Sequence, residues 1–258
     1  MNRPLAQSQR PVRERVTPDE WAARVDLAAC YRLAALYGWD DLVFTHMTAR
    51  VPGASDYLIN PLGLMFDEVD ASSLVRISAD GDILEDPTGL GYNRAGFVIH
   101  GAVHEARPDV ACVLHLHPTA GVAVSCLDEG LLPLSQAALT LDVAYHEYEG
   151  LALDLEERAR LTQNLGSRNH LIMRNHGLLT CGATVGAAFL NMFDLQRACE
   201  IQLAALSAGR PLRMPSVAVQ DRLKQQIQPP WDLPALTERL GWPALIRRLD
   251  KLDPGYRN

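Results

Sequence analysis

The chain has 258 residues, a formal net charge of −7, 48% hydrophobic residues and 21% charged residues. This balance suits a globular protein with a sizeable core and excludes wholesale disorder or a collagen-like repeat. No apolar run approaches the roughly 18 residues of a membrane span, no stripe of Lys and Arg marks a nucleic-acid binder, and the polar start has no secretory signal. The cysteines Cys30, Cys112, Cys126, Cys181 and Cys199 are scattered with no C-x-x-C pair. That usage indicates reduced thiols and a cytoplasmic location rather than a disulfide framework.

Residues 1–16 contain two prolines and four arginines without periodicity. They read as a mobile arm, or one ordered only by a neighbouring subunit. A helix then starts at Thr17, with Pro18 at its first position and Glu20 completing a capping box. Trp21, Val25, Ala28, Ala29 and Leu33 share one face, and Gly38 ends the helix. Between 42 and 84 the spacing predicts short strands at 42–50, 57–60 and 74–77, punctuated by Gly and Pro as an antiparallel meander. Beyond it, helices are predicted over 96–107, 118–127, 153–165 and 182–206, and strands over 110–117, 143–148 and 170–175. One domain over 17–209 follows, α/β in class, with a central, largely antiparallel sheet covered by helices on both faces. The tail 210–258, rich in proline, is predicted to wrap that domain or a neighbour.

The chemistry concentrates at two strand ends. An apolar run from Ala111 closes on His115-Leu116-His117-Pro118. Side chains two apart on a strand point to one face, so both imidazoles converge at the end of the strand. A second apolar run closes on Asn175-His176-Gly177, and its imidazole completes a candidate facial triad of metal ligands. The alternative reading is a set of hydrogen-bonded structural histidines. No cysteine is placed as a fourth ligand: Cys112 faces away from His115, and Cys126 and Cys181 fall in predicted helix and turn. Three ligands leave an open coordination position, as reactive rather than structural sites do.

The ordered set Asn93-Arg94-Ala95-Gly96-Phe97, His115-Leu116-His117-Pro118 and Arg174-Asn175-His176-Gly177 resembles the class II aldolase/adducin family over about residues 18–210. Leu131 to Gln136, Val143 to Tyr148 and Ala198 to Gln202 resemble the adducin branch more closely. The resemblance implies a three-layer α/β/α fold, often assembled as a cyclic tetramer with sites near subunit interfaces. It also implies a divalent metal, usually zinc, on the positions of His115, His117 and His176, with iron or manganese as alternatives.

Two departures from the aldolase pattern stand out. The glutamate that moves the proton in the aldolases is matched by Gly96, which has no side chain to act as a base. The positions of the phosphate pocket are matched by Thr45-His46, Leu62-Gly63 and Arg94-Ala95, which lose most small donors. Arg94 is instead a candidate carboxylate clamp, with an ordinary ion pair as the alternative. His46 is placed by its match in the pocket wall. His100 and His104 share a helix face and read as structural. His146 and Tyr148 are acid/base candidates, against a hydrogen-bonded pair at a subunit contact.

The expected activity is a divalent-metal-dependent, lyase-like reaction on a small non-phosphorylated carbonyl or carboxylate compound, by C–C cleavage or decarboxylation. The alternatives are a non-catalytic adducin-like scaffold and an iron-dependent oxygenase. The expected partners are a small-molecule substrate and further copies of the chain, with no nucleic acid and no membrane.

Overall fold

The computed structural model describes residues 10–150, 155–227 and 232–258. The elements run α1 (Val12–Arg15), α2 (Pro18–Leu36), β1 (His46–Arg50), β2 (Tyr57–Ile59), β3 (Val75–Ile77), β4 (Ile83–Glu85), α3 (Arg94–Ala106), β5 (Cys112–Leu116), α4 (Thr119–Ser125), α5 (Gln136–Leu139), β6 (Val143–His146), α6 (Leu155–Leu165), β7 (His170–Met173), β8 (Gly177–Gly182), α7 (Val185–Ser207), α8 (Val217–Gln226) and α9 (Leu233–Leu252). A 3₁₀ turn follows at Pro254–Arg257.

The strands form one eight-stranded sheet in the order β4-β3-β2-β1-β5-β8-β7-β6. Every neighbouring pair is antiparallel except β6 with β7, which is parallel. Helices cover both faces. On one, α2, α4 and α7 pack on the sheet and α9 packs outside α7 and α2; on the other, α3 and α6 pack together and on β5 and β6. The alternation of side chains along a strand divides the core accordingly. Cys112, Leu114 and Leu116 of β5 join the cluster under α2 and α7, which also contains Met47, Phe189 and Tyr256. Val113 joins Ile99, Val103, Leu161 and Leu165 under α3 and α6. The fold is thus the expected three-layer α/β/α with a mostly antiparallel sheet.

Several local expectations change. The first strand begins at His46, because Leu42 and Thr45 adopt positive φ (51° and 63°) and break the extended run. Thr17 caps α2 by accepting from the Glu20 amide at 3.1 Å. The Glu20 carboxylate does not close the box; it bonds the buried Arg24 at 3.0 Å and Arg76 at 2.8 Å. Arg24 also reaches Glu85 at 2.9 Å and the Leu74 carbonyl at 2.9 Å, which ties α2 to the meander. Gly177–Gly182 is a fully buried strand, not the approach to a helix, so Cys181 sits mid-sheet rather than in a turn. The tail is largely helical: α9 carries Pro234 in its first turn and Pro243 within it. Of the predicted arm, residues 1–9 lie outside the described residues, and Val12 in α1 is buried. Positions 153 and 154 of the helix predicted over 153–165 also lie outside them. No described helix is long and apolar enough to cross a membrane.

Candidate metal centre

β5 is held between β1 and β8, so its final residues have a fixed direction. His115 pairs with His46 across β1 and with Leu179 across β8. Its Nδ1 lies 3.1 Å from the Leu178 carbonyl. Beyond the strand end, His117 Nδ1 lies 3.1 Å from Oδ2 of Asp41. A carbonyl and a carboxylate only accept, so each Nδ1 carries a proton, and in the neutral rings each Nε2 has a bare lone pair. Those two Nε2 atoms are 3.0 Å apart. Two bare lone pairs at that separation repel unless a proton or a metal ion lies between them. The donor set and its backing acceptors therefore fit a metal ion.

His176 arrives from the turn between β7 and β8. Asn175, at φ 54°, reverses the chain, and Gly177 lies so close that an added Cβ would meet His117 Cδ2 and the Leu116 carbonyl, both at 2.7 Å. The His176 ring stands 4.8 Å from that of His115 and 4.9 Å from that of His117. One ring nitrogen from each of the three lies within 4.8 Å of the others. Burial, followed by the neighbouring imidazoles, pushes His176 down to about 4 and His115 well below its ordinary value. Both are neutral at pH 7, the form that ligates a metal.

The triad opens onto a cavity of about 470 Å³ whose wall includes Asp41, Thr45, His46, Asn93, Tyr148 and Asn175. No lysine or arginine is among its described wall residues.

The other predicted site residues separate. Tyr148 stands at the rim, more than half exposed, its ring 6.1 Å from His176. β6 ends at His146, so the alternation that put His146 and Tyr148 on one face does not reach Tyr148. The His146 ring turns into the sheet–α6 layer, with Nε2 3.4 Å from Glu157 and Nδ1 3.0 Å from Asn164. Arg94 is exposed at the first position of α3, while the helix cap beside it, Asn93, enters the cavity wall. His100 and His104 are buried and share the Thr48 hydroxyl at 2.9 and 2.8 Å, a structural arrangement on the strand–helix seam. Asp41 had no signal of its own, since it lies in a loop without periodicity, while Thr45 and Asn93 entered only through the match to the aldolase pattern.

A three-layer α/β/α protein with an open histidine triad at one end of its sheet matches known proteins along most of its length. Residues 25–203 match the family described as Class II Aldolase and Adducin N-terminal domain, and the chain belongs to that family. A protein of the aldolase class 2 type from Pseudomonas aeruginosa is 53% identical over 252 residues, 95% of this chain and 96% of its own length. Alpha-adducin of Mus musculus is 50% identical over 193 residues, which are 73% of this chain and 26% of that protein. Among solved structures, an aldolase II superfamily protein from Pseudomonas syringae has 49% identity and a TM-score of 0.91, over 96% of this chain and 99% of that one. L-fuculose 1-phosphate aldolase from Glaciozyma antarctica has 25% identity and a TM-score of 0.80, covering 93% of each chain.

Proposed function

We propose that the protein is a divalent-metal-dependent, lyase-like enzyme acting on a small non-phosphorylated carbonyl or carboxylate compound, by C–C cleavage or decarboxylation. The carrying observation is the facing pair of bare Nε2 atoms on His115 and His117, with His176 completing an open triad. In this reading the three histidines hold the metal, zinc first among the candidates. When bound, it supplies a Lewis acid that draws electron density from a carbonyl or carboxylate oxygen.

The chain's own groups account for the rest. Asp41 and the Leu178 carbonyl hold the protons on Nδ1 and keep the ligand rings in place. Asn93 and Asn175 offer amide groups to orient a bound molecule, and the Tyr148 hydroxyl can donate a proton at the rim. The described cavity wall offers a phosphate no lysine or arginine, and Arg94, exposed and outside that wall, is not assigned to the bound molecule. Gly96 leaves no carboxylate base in the first turn of α3. That favours loss of CO₂, in which no hydroxyl proton has to be removed to start C–C cleavage. The chain is also proposed to work as a homo-oligomer in the cytoplasm.

The similarity to alpha-adducin, together with Gly96, supports a second reading as a non-catalytic scaffold. Elemental analysis of protein purified without added metal separates the two. About one ion per chain, lost in His115→Ala and His117→Ala, supports the enzyme reading, and release of CO₂ from small 3-oxo acids, or of a carbonyl product from small 3-hydroxy carbonyl compounds, completes it. Absence of metal under any loading leaves the scaffold ahead. Turnover of sugar phosphates above that of every acid overturns the substrate class.

A further inference from the structure

Two of the three candidate ligands are fixed from behind, and the third is not. The rings of His115 and His117 each meet an acceptor at Nδ1, the Leu178 carbonyl and Asp41. The His176 ring touches its two fellow imidazoles but has no hydrogen bond among the described residues. Its direction is therefore set by its own main chain, the turn between β7 and β8. Within that turn the His176 amide donates to the Met173 carbonyl at 3.1 Å, and its other ties run outward. The Arg174 amide donates to the His146 carbonyl at 2.8 Å, and the Asn175 amide to the Ser125 carbonyl at 3.3 Å. Arg174 adds its side chain, with Nη1 2.6 Å from the Leu127 carbonyl and Nη2 3.2 Å from the Asp128 carbonyl. A planar fork on two successive carbonyls fixes direction as well as distance.

The far side of that fork leads back to the second ligand. Pro118 starts α4 directly after His117, and Ser125 ends it. The helix packs on α7 and β8, and its Gly121 amide donates to the buried Gln196 side chain of α7 at 3.0 Å. One fixed helix therefore spans from His117 to the carbonyls that hold the His176 turn. The seat of Arg174 is built as well. Its guanidinium lies over the Tyr145 ring, 4.4 Å from the centroid, a favourable place for a cation. The Tyr145 hydroxyl accepts from the Leu131 amide at 3.0 Å. The buried Gln202 of α7 accepts from the Leu132 amide at 2.6 Å and donates to the Gly130 carbonyl at 2.8 Å. Leu131, Tyr145 and Gln202 come from the three stretches that resemble the adducin branch, and they meet here in one knot. None of the three is among the described residues of the cavity wall.

We propose that Arg174 is the positioning residue for His176. It does through the main-chain turn what Asp41 and the Leu178 carbonyl do directly for His117 and His115. Helix α4 and the knot around Tyr145 act as one rigid spacer that sets the third imidazole against the second. The inference rests on the metal reading above. Arg174 is assigned no contact with metal or substrate and no proton transfer.

The test uses the full chain and Co²⁺, with affinity measured by competition with a chelator and the visible absorption of bound cobalt as the signature of ligand geometry. The parent should take up cobalt. Arg174→Met should weaken cobalt binding roughly tenfold or more, as loss of a group that orients a ligand does, and should alter the absorption spectrum. Loss of a positive charge near a bound cation would by itself tighten binding, so the direction of the change separates position from charge. Arg174→Lys keeps the charge without the fork and should fall between Arg174→Met and the parent. Tyr145→Leu removes the seat, leaves Arg174 in place, and should shift affinity and spectrum the same way. Arg32→Met is the control: it breaks the bonds of α2 to the Val69 carbonyl and Asp253, and should lower the melting temperature while leaving cobalt affinity and spectrum unchanged. Unchanged or tighter binding with the parent's spectrum, in whichever of the Arg174 and Tyr145 variants fold, overturns the positioning role. An equal loss of cobalt in Arg32→Met overturns it too. Failure of the parent itself to take up cobalt overturns the metal reading on which it stands.

Discussion

The proton on His117 Nδ1 is fixed by a residue far from it in sequence, and removing that residue isolates its effect. Asp41→Ala should leave all three imidazoles in place and weaken metal binding roughly 10–100-fold, as loss of a carboxylate behind a ligating histidine does; competition with a chelator of known affinity measures it. Arg24 carries the opposite kind of test. Its fully buried guanidinium answers two carboxylates and the Leu74 carbonyl. Arg24→Ala leaves the buried Glu20 carboxylate with Arg76 alone and the Leu74 carbonyl without this donor, and should cost about 1–3 kcal/mol in denaturant unfolding at pH 7. The triad itself was legible, since a period of two puts His115 and His117 on one face and Asn-His-Gly marks a sharp turn. Asp41 was not, because a loop carboxylate 76 residues away carries no pattern. His146 was not placed for a related reason: its strand stops at that residue, and the ring meets Glu157 and Asn164 on α6, a helix the sequence predicts without showing that it packs on His146.

At the level of elements, the seam between β1 and α3 sets a pH dependence. His104 is buried there, and burial pushes it down to about 3. Unfolded, the same imidazole gains a proton near pH 6.5. Below that value the unfolded chain binds the extra proton. The stability associated with neutral His104 is therefore complete above about pH 6.5 and is lost as the pH falls toward 3, by at most ~1.4 kcal/mol per pH unit. Metal-free His104→Gln should show a flatter fall in unfolding free energy between pH 6.5 and 4.5 than the parent. Thr48→Val removes the hydroxyl shared by His100 and His104 and should cost about 1–3 kcal/mol at pH 7 by the same measurement. β8 escaped the sequence because a central strand buried on both faces shows no alternation, and the apolar run after Gly177 merges into the helix that follows. The tail helices escaped because prolines read as breakers. Pro234 sits in the first turn, where no amide donor is needed, and Pro243 is tolerated inside α9.

Across the whole molecule, the C-terminal segment is part of the main core. Trp242 of α9 lies against Phe189, with ring centroids 5.8 Å apart, and fills the space over Gly186. Tyr256 is fully buried, donates to Asp250 at 2.7 Å, and its carbonyl accepts from the Ala71 amide. Tyr256→Ala should lower stability by about 3–5 kcal/mol, as emptying a buried aromatic position does, and a melting curve reports it. That closure joins distant stretches of chain: Arg32 bonds Asp253 at 2.8 Å across 221 positions. Contacts of such separation form late, because a long loop must close before they stabilise anything. During synthesis on the ribosome, α2 must therefore wait for more than two hundred further residues before its last neighbours emerge. Until then its apolar surface is a natural target for chaperones.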